Sequence, residues 1–228
     1  MEIDGLEIKI VQKNIKNLYI RVYPLNGEIR LVCPRQLDND TIRQLIMAKI
    51  DWIRKKRAKF LAQPRKIDYQ YISGEKHYFK GDRLILKVIY HQTSPKVILE
   101  GSQLSLYVRF GSICEQREQV LLAWYRQELK AQLPQIIAKW EQVIGVKVND
   151  WRIKKMKTRW GTCNVQARRI WLNLELIKQP SHCLEYVVVH ELVHLLERKH
   201  NARFWQYMTQ FMPDWQQYQT ELNRLPLV

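Results

Sequence analysis

The chain has 228 residues, 46% of them apolar, which is enough to bury a sizeable core as one domain or two small ones and excludes a disordered chain. Thirty-eight Lys and Arg residues against 22 Asp and Glu residues give a formal net charge of +16. This excess is compatible with an anionic partner or substrate but does not identify one.

The first 110 residues are predicted to be mostly β. Three segments alternate apolar with polar residues, as half-buried strands do: 7–11, 18–23 and 28–32. Asn26-Gly27 is typical of a hairpin turn between the last two. A single helix is expected after Asp38, an N-capping residue, and should run to about Leu61. Four further strands are then expected: 71–79, 84–90, 96–99 and 104–108.

The remaining residues are predicted to be mostly helical. A helix from 114 to 132 should kink or restart at Pro134, and a second helix, 135–144, should end at Gly145. The later elements are expected to be strands at 146–151 and 169–176 and helices at 184–198, 202–211 and 215–222. The change in composition near residue 110 predicts two lobes, 1–110 and 111–228, packed together without a flexible linker.

Neither the N-terminus nor the cysteines suggest secretion. Residues 1–17 lack a basic leader and an apolar stretch. The four cysteines form no CxxC pair, which favours reduced thiols and a cytoplasmic location. The most apolar stretch, 186–196, is too short and too polar to span a membrane, so no membrane association is expected.

The segment His190-Glu191-Leu192-Val193-His194 is the strongest chemical signal. Imidazoles four residues apart project from one face of a helix and can bind a single ion, while Glu191 can reach a water on that ion without ligating it. Zn²⁺ suits such a site, because three protein ligands leave one position open for water. The sequence thus predicts a metallohydrolase in which Glu191 is the general base.

A third ligand must come from elsewhere, and His182, Glu197 and His200 are the candidates. Glu197 shares the helical face but lies two turns from His190, which makes convergence on one tetrahedral ion awkward. His200 is preferred, provided that the helix ends near Arg198 and the chain turns back.

Four segments together give the chain a family resemblance. They are Lys157-Thr158-Arg159-Trp160-Gly161-Thr162-Cys163, Ile170-Trp171-Leu172-Asn173, Glu185 to His194, and Lys199-His200-Asn201 with Phe204-Trp205. In this order they resemble the YgjP-like metallopeptidases, which are related to the SprT and minigluzincin groups of zinc peptidases. The family's usual form is SRWGSC in the first segment and NHSxxFW in the last, so Thr158, Thr162, Lys199 and Asn201 depart from it.

The resemblance implies one Zn²⁺ per chain, held by His190, His194 and His200, with Glu191 as catalytic acid and base. It implies a polypeptide substrate, attacked by a zinc-bound water. The expected fold class is α+β, with a mostly-β N-terminal lobe that contains one helix. The C-terminal lobe is expected to be zincin-like and helical, with a small sheet and the HExxH helix.

Further roles are hypothesised for residues near this motif. The segment 170–176 is hypothesised to be the edge strand beside the metal, which would pair with an extended peptide. Arg159 or Asn173 would then stabilise the oxyanion, although a structural role suits each of them as well.

Two basic clusters are candidates for anion binding. The first consists of Arg54, Lys55, Lys56 and Arg57, with Lys59, Arg65 and Lys66 beside it. The second contains Arg152, Lys154, Lys155, Lys157 and Arg159. Two alternatives to the peptidase stay open. The family resemblance, together with these clusters, allows a metal-dependent nucleotide pyrophosphatase of the UTP type, and the clusters allow a nucleic-acid-binding protein with a structural metal.

Overall fold

The computed structural model describes residues 1–23, 26–61 and 69–224. It confirms the predicted α+β class, with a strand-rich N-terminal region and a helical C-terminal region that includes a small sheet. The contacts divide the chain into two compact units, 1–67 and 68–228. Among the described residues, no helix combines the length and the apolar character needed to cross a bilayer.

The first unit is a four-stranded sheet whose apolar side chains share a core with two helices. Its strands are β1 (Glu2–Ile3), β2 (Leu6–Lys13), β3 (Tyr19–Val22) and β4 (Ile29–Pro34), in the order β1-β2-β4-β3. Strands β2 and β4 run parallel and the other pairs antiparallel. Gly27 has a φ of +67° in the predicted turn before β4, a conformation that glycine adopts without strain.

Two helices replace the single helix that was predicted in this unit: α1 (Asn39–Met47) and α2 (Ile50–Leu61). Asp38 caps α1 as expected, its Oδ1 accepting from the Thr41 amide at 2.7 Å. Ile42, Ile46 and Ile53 all enter the same core. The apolar residues therefore keep their helical spacing across the break between α1 and α2, so the sequence pattern gave no sign of that break.

The second unit contains two sheets and four helices. One sheet has strands β5 (Lys76–Phe79), β6 (Asp82–Tyr90), β7 (Lys96–Glu100) and β8 (Gln103–Val108), in the order β5-β6-β8-β7. The other has β9 (Asp150–Lys154), β10 (Gly161–Asn164) and β11 (Arg169–Asn173), in the order β10-β11-β9. The helices are α3 (Cys114–Ile144), α4 (Ser181–Val193), α5 (Ala202–Phe211) and α6 (Trp215–Arg224), and a 3-10 turn, Leu174–Lys178, follows β11.

Several predicted strand limits were wrong because local turns intervene. Tyr71 and Gly74 have φ angles of 53° and 95°, so β5 begins only at Lys76. The chain leaves extended geometry after Asn173, whose side chain caps the 3-10 turn. Strand β10 was not predicted at all, because a short run of polar and small residues lacks the alternation that marks a strand.

Helix α3 is continuous through Pro134, where the sequence predicted that the helix would kink or restart. Pro134 is exposed, while its neighbours Leu133 and Ile137 are buried. Packing of the buried face on both sides of the proline therefore outweighs the hydrogen bond that the proline cannot make. Gly145, with a φ of +75°, ends the helix as predicted.

The division at residue 67 differs from the predicted boundary near 110, which falls inside the second unit. Strands β5 to β8 share one core with α3 and α4. The Tyr125 hydroxyl of α3 donates to the Tyr78 carbonyl at 2.8 Å, and the Lys80 amide donates to the Ile177 carbonyl at 2.8 Å. The change in composition near 110 therefore marks a change from strands to helices within one unit.

Candidate metal centre

Helix α4 carries the HExxH segment at its C-terminal end. The helix is almost entirely buried, and His190 and Glu191 are its polar residues in the last two turns. It ends at Val193, whereas the sequence predicted an end near Arg198. His194, the C-cap residue, keeps helical angles of φ −61° and ψ −18°, so its ring stays on the same face as His190, 5.0 Å away between centroids.

The early end of α4 lets the chain return to the site. The amides of Leu195 and Leu196 each bond to a carbonyl three residues back, at 2.9 Å, which tightens the last turn. Asn201 then starts α5, its Oδ1 accepting from the Phe204 amide at 3.0 Å. His200 immediately precedes this cap and is thereby brought back over α4.

The three predicted histidines come together. One ring nitrogen from each of His190, His194 and His200 lies within 4.8 Å of the other two, and the Nε2 atoms of His190 and His200 are 2.9 Å apart. Glu197, the competing candidate, is turned elsewhere: its Oε1 accepts from the Lys199 amide at 3.0 Å. His182 belongs to a different cluster.

Aromatic side chains from α5 hold the histidines in place. Phe204 is fully buried, and its ring lies 4.7–5.0 Å from all three imidazoles. Trp205 stacks on His200 at 5.6 Å and on Trp215 at 4.5 Å. Sequence reasoning assigned these residues no role, although the Phe204-Trp205 pair belongs to the motif that carried the resemblance.

Two of the three histidines favour the neutral form, which is the form that binds a metal ion. Burial lowers the pKa of His190 to about 3, and the neighbouring His194 and His200 act in the same direction. Burial likewise lowers the pKa of His194, whose Nδ1 lies 3.2 Å from the Glu197 carbonyl. Assigning the Nδ1 proton to that contact leaves Nε2 free as a ligand atom.

Glu191 lies beside the histidines, with only 4% of its surface exposed. Burial raises the pKa of its carboxyl to about 8, against the opposing effect of the Arg159 charge. The carboxylate packs against Gly161 of β10 so closely that a Cβ built there would lie 2.5 Å from Oε1. Only glycine fits at that position without displacing the carboxylate.

The site opens into a cavity of about 870 Å³. One wall is the stretch 159–166, which includes β10, and the opposite walls are α4 and the end of α6. Within the described part of the chain, strand β10 pairs with β11 and with no strand on its other side, so it forms an edge of the sheet. The hypothesis that 170–176 is the edge strand was therefore wrong: β11 is the central strand, and the edge beside the histidines belongs to β10.

Arg159 and Asn173 have different surroundings. Arg159 is exposed and lines the cavity. Asn173 is fully buried, and its Nδ2 donates to the carbonyls of Met156 and Arg159, both at 2.8 Å. Its Oδ1 accepts from the amides of Met156 and Glu175, both at 3.2 Å. Every donor of the Asn173 side chain is thus engaged with backbone, leaving none for an oxyanion.

The predicted anion-binding residues lie in both units, and some are already paired. In the first unit, Arg54 bonds to Asp4, and the Lys56 ammonium lies 6.0 Å from the Trp52 ring. In the second, Lys155 bonds to Glu118 at 2.9 Å. Lys55, Lys154 and Lys157 are exposed, Arg57 is partly exposed, and Arg65 and Lys66 fall outside the described residues.

The donor set fits a zinc ion. Three imidazoles whose nitrogens converge would supply three ligands to a tetrahedral ion, which would leave one position for water. The side chain of Glu191 lines the same cavity as the three histidines. The remaining ring nitrogen of His194 has the carbonyl contact that commonly orients a metal-bound histidine.

The family of the chain follows from comparison with known proteins. No curated protein matches the chain. Two solved structures of metallopeptidase zymogens are similar to part of it: abylysin of Pyrococcus abyssi, at 19% identity over 41% of this chain and 97% of that chain, and jannalysin of Methanocaldococcus jannaschii, at 16% over 39% and 91%. The TM-score is 0.36 for both. The model of the YgjP-like family, described as a metallopeptidase domain, matches residues 16–225, and the chain therefore belongs to that family.

Proposed function

We propose that this protein is a zinc peptidase of the HExxH type, with one Zn²⁺ per chain held by His190, His194 and His200 and with Glu191 as general base. The observation that carries the proposal is the convergence of three imidazole nitrogens next to a buried carboxylate in an open cavity. The family match to a metallopeptidase domain supports the same reaction class.

The chain's own residues provide the proton transfers. A zinc ion supplies Lewis acidity for the scissile carbonyl and for the attacking water. Glu191 accepts one proton from that water as its oxygen bonds to the carbonyl carbon. Glu191 then returns the proton to the leaving nitrogen as the C–N bond breaks, so that a carboxyl group and an amine are released.

The substrate is proposed to be an extended polypeptide that lies along β10. The free edge of this strand offers backbone donors and acceptors to a peptide, as in strand addition. The cavity runs beside this edge and includes both Arg159 and the histidines. We assign Arg159 to the carbonyl oxygen of the bound peptide and Asn173 to holding the loop that carries Arg159.

The decisive test is Glu191→Gln in the full chain, assayed against unfolded protein and peptides of increasing length. Turnover should fall by about 10²–10⁴-fold, the usual contribution of a general base, while zinc content stays at one ion per chain. Glu185→Gln, on the same helix and hydrogen-bonded to Trp140, is the matched control and should keep its turnover. Undiminished peptide cleavage by Glu191→Gln would refute the proposed base.

Assays of the wild-type protein with nucleoside triphosphates, DNA and RNA test the two alternatives that the sequence left open. A nucleotide pyrophosphatase would release phosphate from nucleoside triphosphates, and a nucleic-acid-binding protein would bind DNA or RNA with an affinity that falls steeply with salt. Neither alternative is favoured by the family match, which describes a peptidase domain. A cytoplasmic location is also part of the proposal, because all four cysteines lie among the described residues and none of them forms a disulfide.

A further inference from the structure

A second group of metal-binding side chains lies at the opposite end of α4 from the HExxH segment. One ligand atom from each of His182, Cys183 and Glu221 lies within 4.8 Å of the other two. The Nε2 atom of His182 is 2.6 Å from Oε2 of Glu221. None of these residues contributes to the three-histidine centre.

Packing of α6 against α4 creates this group. His182 and Cys183 lie in the first turn of α4, and Glu221 lies on α6. One turn before Glu221, Tyr218 packs on the His182 ring with centroids 4.9 Å apart. Leu222, the residue after Glu221, is 2% exposed. The two helices thus bring the three donors together from distant parts of the sequence.

The donors indicate a particular class of ion. Imidazole nitrogen, thiolate sulfur and carboxylate oxygen are all ligands of Zn²⁺, and three of them leave one tetrahedral position for water. A thiolate favours zinc and similar transition ions over Mg²⁺ and Ca²⁺, which prefer oxygen. Cys183 is fully buried, and burial raises the pKa of its thiol to about 12. Binding of one divalent ion would therefore release the Cys183 proton to solvent.

We propose that His182, Cys183 and Glu221 form a second site for a divalent transition ion, which fastens α6 to α4. Holding α6 against α4 would also hold one wall of the cavity in place, because Gln219, Leu222 and Asn223 of α6 line the cavity. Gln219 also donates to the Tyr186 hydroxyl of α4 at 3.1 Å. An ion at this site stabilises the wall of the cavity without touching the histidines. The inference does not depend on peptidase activity.

Cobalt titration of the metal-free full chain tests the proposal. Co²⁺ bound to a thiolate gives a sulfur-to-metal charge-transfer band, which a three-histidine site does not. Wild type should bind two equivalents and show the band, whereas Cys183→Ser should bind one equivalent and show none. Cys33→Ser is the matched control: this thiol is also fully buried but lies in the core of the first unit, and its replacement should leave both equivalents and the band unchanged.

Two further variants separate loss of the site from loss of folding. His182→Gln and Glu221→Gln change side chains that are 42% and 40% exposed, so both should fold while the second equivalent binds at least about tenfold more weakly. A wild-type titration that stops at one equivalent without a thiolate band would overturn the proposal. So would a band that persists in folded Cys183→Ser.

Discussion

At the scale of single residues, the position of His200 depends on its neighbours more than on helix geometry. His190 and His194 are related by the helical repeat, but His200 lies beyond the end of α4. It is held by stacking on Trp205, which stacks in turn on Trp215. The proposed role of His200 as the third ligand therefore depends on contacts between α5, α6 and the end of α4.

His200→Ala should lower zinc affinity by more than about 100-fold, because a directly coordinating nitrogen should matter at least as much as the outer groups whose loss costs 10–100-fold. Glu197→Gln, the control, keeps the side-chain oxygen that caps the Lys199 amide and should keep its zinc. Competition with a chromophoric chelator measures both affinities. Zinc loss in Glu197→Gln but not in His200→Ala would reverse the ligand assignment.

Gly161 shows how a residue without a side chain can position a reactive group. Gly161→Ala places a Cβ 2.5 Å from the present location of Glu191 Oε1, so the carboxylate must move. Displacement of a catalytic group by about 1 Å can cost up to ~10²-fold in rate. We expect kcat to fall by roughly 10–100-fold with zinc content unchanged, measured by steady-state kinetics and metal analysis. Thr162→Ser, at the next position, should behave as wild type, and an active Gly161→Ala would show that Glu191 tolerates displacement.

At the scale of structural elements, the connection between β9 and β10 is held by one buried amide. Asn173 bonds to the backbone of Met156 and Arg159, which lie at either end of this connection. Strand β11 therefore holds the segment that leads into the edge strand of the site. Asn173 therefore has a structural role, whereas the neighbouring Arg159, whose carbonyl it binds, is a candidate for binding the substrate.

Asn173→Ala should destabilise the protein by about 1–3 kcal/mol for each buried backbone group left unpaired, and it should also lower turnover. Arg159→Ala should lower turnover without a measurable loss of stability, because Arg159 is exposed. Urea unfolding measures the stability of both variants, and steady-state kinetics measures their turnover.

Asn149→Ala is the control for Asn173→Ala. Asn149 is exposed and makes one long hydrogen bond to the Ala167 carbonyl, so its replacement should lower the free energy of unfolding by well under 1 kcal/mol. Unchanged stability in Asn173→Ala would contradict the assigned role.

At the scale of the whole molecule, the division of the chain decides which part carries the site. The histidines, Glu191, β10 and the core beneath them all belong to the unit 68–228. The sheet of β5 to β8 contributes apolar side chains to that core, including Leu86, Leu104 and Leu106. A fragment that lacks this sheet would expose the side of α3 that packs on it.

Two truncations therefore have opposite expected outcomes. The fragment 68–228 should fold cooperatively and bind zinc with the affinity of the full chain, because its core is complete. The fragment 111–228 should expose apolar surface and fail to give a cooperative transition. Thermal unfolding and zinc titration of both fragments provide the measurement. Cooperative folding of 111–228 would instead support the boundary that the composition suggested.

The features read correctly from the sequence are those set by neighbouring residues. Asp38 caps α1 and Gly145 ends α3, because capping depends on the few residues around each helix end. The spacing of His190 and His194 places both rings on one face through the helical repeat alone. Helix α5 also has the limits that its apolar pattern predicted, Ala202–Phe211.

Other features depend on contacts between distant residues, and local patterns carry no signal for them. Strand β10 is recognisable as a strand because it pairs with β11, and its role as the edge beside Glu191 follows from that pairing. The continuity of α3 through Pro134 and the division at residue 67 likewise follow from which surfaces pack together.

The sequence by itself determined the donors and the chemistry they favour, because side-chain identity and helical spacing fix which atoms can bind an ion. Only the tertiary structure decided how these donors are brought together and held. It supplies the turn that returns His200 to the site, the Phe204 ring that contacts all three imidazoles, and the close approach of Gly161 to Glu191. The physical reason is that each of these contacts joins separate elements, and it exists only once their apolar surfaces have been buried against one another.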